Sequence, residues 1–321
     1  MIHNDCQVSI VIPVYNRMHL LDQSIQSVLS QSYDNWVAYI CDDGSTDDVL
    51  AMVTSYDDTR LVYRRFPHAG IGATRNRGLQ MVETPYVVML DSDDIWHVDF
   101  LRDGVGFLDR NPQVDMVQTA QGVIDDKGVY QGRRNILLEH AKHAEYSSGC
   151  RFIVQDALTY FLTEPFGQNN FSSLLIRSAL ATRITMDEID FMEDWDYWMK
   201  LGEQGASVAY VDAERSYYRT YNRQVDIERQ IRTLKQTIAM VQRHSFPEVW
   251  QTRIQTRIIG NLNEMIAFDY LTLGKRVVAA NLFYQCLRTS MSRRRVYGLA
   301  KCIAPSLSQY VKDKLVKSAS S

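Results

Sequence analysis

Val8-Ser9-Ile10-Val11-Ile12-Pro13-Val14 is a seven-residue apolar run, rich in β-branched side chains and closed by a proline and a valine. That is the pattern of a short strand buried on both faces. Outward from it the periodicity changes, because Leu21, Ile25, Val28 and Leu29 recur at helical spacing. Residues 36–41 are again extended, and Asp42-Asp43-Gly44-Ser45 is a turn, with Ser45 and Asp48 expected to cap the next helix. Leu61–Arg65 reads as a strand, 73–81 as a helix, 86–90 as a third apolar run, 99–111 as a helix stopped by Pro112, and 114–119 as extended. Strands and helices alternating at such short intervals argue for a parallel sheet covered on both faces. Ligands of such sheets sit at the carboxyl ends of the strands. Asn16-Arg17, Asp42-Asp43 and Asp91-Ser92-Asp93-Asp94 each follow a strand, so they should meet along one rim.

The pattern weakens over 120–170, where Asp125-Asp126-Lys127-Gly128 reads as a hairpin turn; 171–176 is extended and 195–201 helical. From Ile227 onward the chain reads as helical, with one stripe of Ile231, Leu234, Ile238 and Val241 and another of Ile254, Ile258, Leu262 and Met265. The expected organisation is two consecutive parts of a sheet-bearing region, 1–119 and 120–225, followed by a helical region over 226–321.

Composition sets bounds on this reading. At 45% hydrophobic and 23% charged the chain is globular, and its 7 prolines and 16 glycines exclude collagen-like architecture. No apolar run reaches the roughly 18–20 residues of a membrane-spanning helix, and Met1-Ile2-His3-Asn4-Asp5-Cys6 lacks the features of a signal peptide. The 5 scattered cysteines read as reduced thiols of a cytoplasmic protein. The net charge is −3, yet from residue 288 onward the basic residues Arg288, Arg293, Arg294, Arg295, Lys301, Lys312, Lys314 and Lys317 face one acid, Asp313. Such a tail on an acidic body suits an anionic membrane surface, a solvated helix, or packing on protein.

Four clusters carry candidate chemistry. Asp91-Ser92-Asp93-Asp94 crowds three carboxylates, which a hard divalent ion would offset while leaving positions for phosphate oxygens. Turn and capping duty is the simpler reading. Asp42, with no evident capping role, is placed to accept hydrogen bonds from a nucleotide's imide or ribose hydroxyl. Gly70-Ile71-Gly72-Ala73-Thr74-Arg75 either lets the backbone approach a phosphate or simply starts a core helix, and its spacing is not that of a dinucleotide fingerprint or P-loop. Glu193-Asp194 opens a helix among aromatics, where acids complement the dipole or one of them acts as a general base.

Taken in order, Val8 to Arg17, Ser27 to Tyr33, Asp42 to Asp47, Ala73 to Asn76, Leu90 to Asp94 and Glu193-Asp194 make a set that resembles the family-2 inverting glycosyltransferases, over roughly residues 7–220. The resemblance implies an α/β fold of GT-A type, a doubly wound, mostly parallel sheet with a C-terminal helical appendage. It implies that Asp42 pairs with uracil of a UDP-sugar in a pocket lined by Pro13 and Tyr15, and that Arg17, Arg75, Asp91 and Ser92 lie about the nucleotide. Asp93 would hold Mn2+ or Mg2+, and Asp194, with Glu193 beside it, would be the catalytic base. Two features depart from the family. Tyr221 stands where many relatives carry histidine, and the Gln-x-x-Arg-Trp signature of processive synthases is absent. The implied enzyme is non-processive, takes a nucleotide-sugar donor and a glycan or lipid-linked glycan acceptor, binds no nucleic acid, and works in the cytoplasm or at the inner face of the plasma membrane through residues 288–321. A sugar-nucleotide-binding relative without catalysis and a nucleotidyltransferase are the alternatives, the latter disfavoured because no Gly-rich basic loop follows the first strand.

Overall fold

The seven residues of β1, Val8–Val14, are buried without exception, as a strand with neighbours on both edges and helices on both faces must be. The structure is a computed structural model that describes residues 7–134, 152–154, 157–163, 170–187, 192–221, 226–244 and 249–303. β1 pairs in parallel with β2, Trp36–Asp42, from Val8↔Trp36 to Val14↔Asp42, and on its other edge with β4, Tyr86–Met89. β3, Leu61–Arg65, extends the parallel block beyond β2. Between these strands run α1, Met18–Leu29, α2, Val49–Thr54, and α3, Ile71–Leu79. Leu21, Ile25 and Val28 of α1 join Ile10, Ile12, Ala38 and Ile40 in one core, where each large aliphatic side chain contributes roughly 1.5–3 kcal/mol on burial. Gly78 brings α3 flat against β1, since a Cβ there would sit 2.2 Å from Val11 Cγ1. The chain leaves β1 toward β2 on one side and returns to β4 on the other, so a crevice opens at the carboxyl ends of β1 and β4.

Beyond β4 the sheet changes character. β9, Leu174–Arg177, lies antiparallel between β4 and β6, Met116–Ile124. β10, Val208–Arg219, runs parallel to β6 through two register shifts. The short β5, Ile95–Trp96, and β8, Phe152–Val154, flank β10 antiparallel, and β7, Tyr130–Arg133, forms a hairpin with β6. The fold is therefore α/β, with a parallel N-terminal block and a mixed second half. The division expected at 119/120 falls inside β6, so both halves share one sheet. Around this half lie α4, Phe100–Arg110, α5, Ala157–Thr163, α6, Ser178–Ala181, and α7, Glu193–Glu203.

The chain separates into two compact units, Met1–Asn222 and Arg223–Ser321. In the second are α8, Ile227–Arg243, α9, Val249–Thr272, α10, Arg276–Thr289, and α11, Arg293–Ile303. The apolar stripe of α9 continues from Ile258 and Leu262 to Ile266, leaving Met265 exposed, while Thr237 and Met240 are buried beside Ile231, Leu234 and Val241 of α8. Phe283 packs edge-on to Phe268 among Ala267, Ala279 and Cys302. Within the basic run of α11, Arg295 is structural. Arg295 is 2% exposed, with Nε 2.7 Å from Glu264 Oε2 and Nη2 donating to Asn261 Oδ1, and Arg294 pairs with the other Glu264 oxygen. An interfacial role for the tail thus loses Arg295 to an internal ion pair, while Arg294 stays largely exposed; residues 304–321 lie outside the described residues. Among the described residues no helix is long and apolar enough to cross a membrane. Cys41, Cys286 and Cys302 are buried thiols, and burial pushes the Cys41 thiol up to about 12.

Candidate active site

At the carboxyl ends of β1 and β2 the loops are tied to one another. Asn16 adopts a positive φ of 53°, which asparagine tolerates better than most residues, and its side chain accepts from Thr46 N at 2.8 Å. Ser45 does not cap α2. Its hydroxyl accepts from Asn16 N, and the cap is Asp48, which receives Ala51 N at 3.1 Å, because the helix starts only at Val49. Asp42 also has a local duty that its position did not announce. Oδ1 accepts from Ser45 N at 2.8 Å, Oδ2 from the Tyr63 hydroxyl at 2.6 Å, and the residue is 0% exposed. Asp43 likewise holds Ala69 N and Gly70 N, which engages the amides just before α3 and favours the core-helix reading of that glycine-rich stretch. Pro13 is buried in β1 opposite Cys41. Tyr15 remains open, with its ring stacked at 4.3 Å on His68, and His68 Nδ1 is 2.8 Å from Asp43 Oδ2.

The end of β4 presents the acidic run. Asp94 is buried and structural, accepting from Arg219 N and Asn170 Nδ2; burial, then Asp91 and Asp93, push its carboxyl up to about 8. Ser92 is buried as well. Asp91 and Asp93 are the accessible members, with side chains 23% and 15% exposed. Asp93 Oδ2 receives Arg17 Nη1 at 2.6 Å and the Tyr221 hydroxyl at 3.0 Å, so Tyr221 fills its position as a donor to Asp93. Burial and the neighbouring Asp91 raise the Asp93 carboxyl.

α7 supplies the third element. Met192 turns the chain into the helix at φ 66°, which puts Glu193 and Asp194 in its first turn, where the helix dipole favours negative charge. Arg75 links this element to the β4 end. Its Nη2 lies 2.6 Å from Asp91 Oδ1, its Nη1 2.5 Å from Glu193 Oε1, and its guanidinium lies over Phe171. The Arg75 side chain is 3% exposed and bridges two carboxylates, so it is positioned to hold Asp91 and Glu193 in place. Asp194 differs from Glu193. It is half-buried, accepts one hydrogen bond, from Trp195 N at 2.7 Å, and its Oδ2 has no donor among the described residues. Burial, then the adjacent Glu193 charge, push its carboxyl up to about 7 against the pull of Arg75.

Arg75 thus ties Asp91 to Glu193, with Asp194 next to Glu193 and within its electrostatic influence and Asp93 held separately by Arg17 and Tyr221, while Asp42 and Asp43 stand at the other end of the rim. Among the described residues no three His, Cys, Asp or Glu side chains group closely enough to hold an ion alone. The donor set still fits Mn2+ or Mg2+ brought by a diphosphate, because such ions take one or two carboxylates and fill their shell with phosphate oxygens. Arg219 and Arg134 escaped the sequence reading. Arg219 donates through Nε to Asp93 O and through Nη2 to Gln23, anchoring the acidic loop. Arg134 follows β7, stacks on Tyr218 at 4.4 Å and donates to Gln121 Oε1. Neither has a motif, and only strand pairing brings them here.

Comparison with known proteins adds independent findings. The family described as glycosyl transferase family 2 matches residues 9–169. An uncharacterized glycosyltransferase of Rickettsia conorii is 35% identical over 128 residues, 40% of this chain and 21% of its own length. A UDP-Glc:alpha-D-GlcNAc-diphosphoundecaprenol beta-1,3-glucosyltransferase of Escherichia coli is 36% identical over 109 residues, 34% of this chain and 43% of its own. The aligned parts thus span less than half the length of either relative. The crystal structure of S. aureus TarS 1-349 in complex with UDP-GlcNAc superposes with a TM-score of 0.64 at 17% identity, covering 95% of this chain and 88% of that one, and so shares the fold.

Proposed function

The chain belongs to glycosyl transferase family 2, and from that premise we propose that it moves a single sugar from a UDP-sugar to a hydroxyl of a glycan or lipid-linked glycan, inverting the anomeric centre. The observation that carries this reading is Asp194, a half-buried carboxylate with one oxygen unclaimed among the described residues and a pKa raised to about 7, adjacent to Glu193, which Arg75 bridges to the acidic end of β4. A base poised near neutrality is what proton removal from an alcohol requires. Asp194 Oδ2 takes the acceptor hydroxyl's proton as that oxygen attacks the anomeric carbon. The bond to the diphosphate breaks on the opposite face, and UDP leaves with the electron pair. Glu193, held by Arg75, positions Asp194 and does not itself take the proton. Arg17, at Asp93, is the partly exposed cation on the donor side. Mn2+ or Mg2+, bound by Asp93 and the donor phosphates, would supply charge neutralisation of the leaving group. Tyr15 and His68 offer the aromatic surface for the base. The UDP-glucose and diphosphoundecaprenol in the E. coli relative's name, and the UDP-GlcNAc in TarS, support this donor and acceptor class. Nucleotide sugars and the acceptor would then meet at the cytoplasmic face of the membrane.

Radiolabelled UDP-sugars with Mn2+ test the reading. Asp194→Asn should lower transfer and donor hydrolysis by about 10²–10⁴-fold with UDP affinity retained. Unchanged turnover removes Asp194 from the chemistry, and release of pyrophosphate from UTP and a sugar 1-phosphate, with no sugar transfer from UDP-sugars, replaces the reading with nucleotidyl transfer.

A further inference from the structure

The arginines around Asp91, Asp93, Asp94, Glu193 and Asp194 are not equivalent. Arg75 is bound by Asp91 and Glu193, and Arg17 by Asp93. Arg219 is buried with its donors on Asp93 O, Asp125 O and Gln23 Oε1. Arg134 is half-buried, and among the described residues its side chain makes one hydrogen bond, Nη1 to the neutral Gln121 Oε1 at 2.7 Å, and has no carboxylate at ion-pair distance. Its guanidinium plane is fixed over Tyr218, 4.4 Å from the ring centroid.

Burial pulls the Arg134 pKa below the usual arginine value, and Tyr218, Asp94 and Asp194 offset this only through longer-range attraction. A desolvated cation that lacks a contacting counter-ion gains from an arriving anion, and a guanidinium already immobilised by stacking loses little entropy in gripping one. Location says whose anion it is. Arg134 follows β7, on the side of the sheet built by β6 and β10, and it acts electrostatically on Asp194. The donor's candidate contacts follow β1, β2 and β4 instead.

We propose that Arg134 recognises an oxyanion of the acceptor, a phosphate or diphosphate ester borne by the sugar whose hydroxyl Asp194 deprotonates. Tyr218 and Gln121 hold the guanidinium in place for it. The proposal rests on the glycosyl-transfer reading above and assigns that reading a feature of its acceptor, namely negative charge within reach of the reacting hydroxyl.

Calorimetry on the full chain with UDP and Mn2+ tests it, using two probes: a short-alkyl diphosphate ester of α-N-acetylglucosamine and the corresponding uncharged alkyl glycoside. The wild type should bind the charged probe about tenfold or more tightly than the neutral one. Arg134→Gln should erase the preference, Arg134→Lys should restore part of it, and UDP affinity should stay within about twofold in all three. Equal binding of the two probes by the wild type, or a preference that survives Arg134→Gln, overturns the proposal. UDP binding lost in step with the charged probe overturns it too, by moving Arg134 to the donor. A wild type that binds no UDP fails earlier, at the donor reading, and takes this proposal with it.

Discussion

At the end of β2, Asp42 and Asp43 have every carboxylate oxygen engaged by neighbouring backbone and side chains: Ser45 N of their own turn, the Tyr63 hydroxyl of β3, and Ala69 N and Gly70 N before α3. At the start of α7, Glu193 faces Arg75, and Asp194 accepts one amide and keeps an oxygen without a donor among the described residues. In the sequence the two acidic pairs look alike. In the fold one closes a turn and the other leaves a lone pair for chemistry. The difference is one of degree, since each carboxylate oxygen has two lone pairs: Asp42 and Asp43 already receive a donor on both oxygens, whereas one oxygen of Asp194 receives none among the described residues.

The strongest way to break the comparison is at the joint between α7 and β4. Arg75→Met leaves Asp91 and Glu193 facing each other without the cation between them. Losing one partner of such a buried network costs about 3–5 kcal/mol. Urea unfolding should show a loss of that size, with transfer abolished. A variant as stable as the wild type would mean that Arg75 holds nothing together and that Asp194 is positioned by other means.

A second measurement sharpens the comparison without unfolding anything. With the Asp194 carboxyl raised to about 7, transfer should fall about tenfold for each pH unit below that value and level off above it, since only the ionised form accepts a proton. Glu193, Arg75, Asp91 and Arg134 are the charges that face it. Glu193→Gln keeps an acceptor for Arg75 and removes the charge that raises Asp194, so the inflection should move to lower pH. An unmoved inflection would detach the profile from Asp194. The same shift has a stability consequence. The folded state binds this proton more tightly than the unfolded chain, so stability falls as pH rises toward and through 7, and Asp194→Asn should lack that fall.

The N-terminal parallel block was legible because β1, β2 and β4 are nearly uninterrupted apolar runs and α1 keeps a 3.6-residue stripe. β10 was not. Asp212, Glu214, Arg215 and Arg219 break any alternation, and two register shifts against β6 reset which side chain faces which side. Arg134 and Arg219 depend on that strand and so stayed hidden as well. Ser45 misled for a local reason, since a serine three residues before an acid mimics a cap while the helix starts one turn later at Val49. Arg295 misled for a non-local one. Its partner Glu264 lies 31 residues away, and nothing in a basic run indicates which arginine will be interior.

The smallest expected effect probes the other side of the comparison, the carboxylate with a donor on both oxygens. Tyr63 donates to Asp42 Oδ2 at 2.6 Å, and burial together with this carboxylate pushes the phenol up to about 12, so the hydrogen bond persists across the physiological range. Tyr63→Phe removes the donor and should cost about 1–2 kcal/mol, and Asp42→Asn a similar amount. The double variant should lose less than the sum, because both changes break the same interaction. Strict additivity would separate the two residues. If Asp42→Asn instead left stability unchanged and weakened UDP binding alone, Asp42 would face the base after all, and the two acidic pairs would be doing the same kind of work at opposite ends of one substrate.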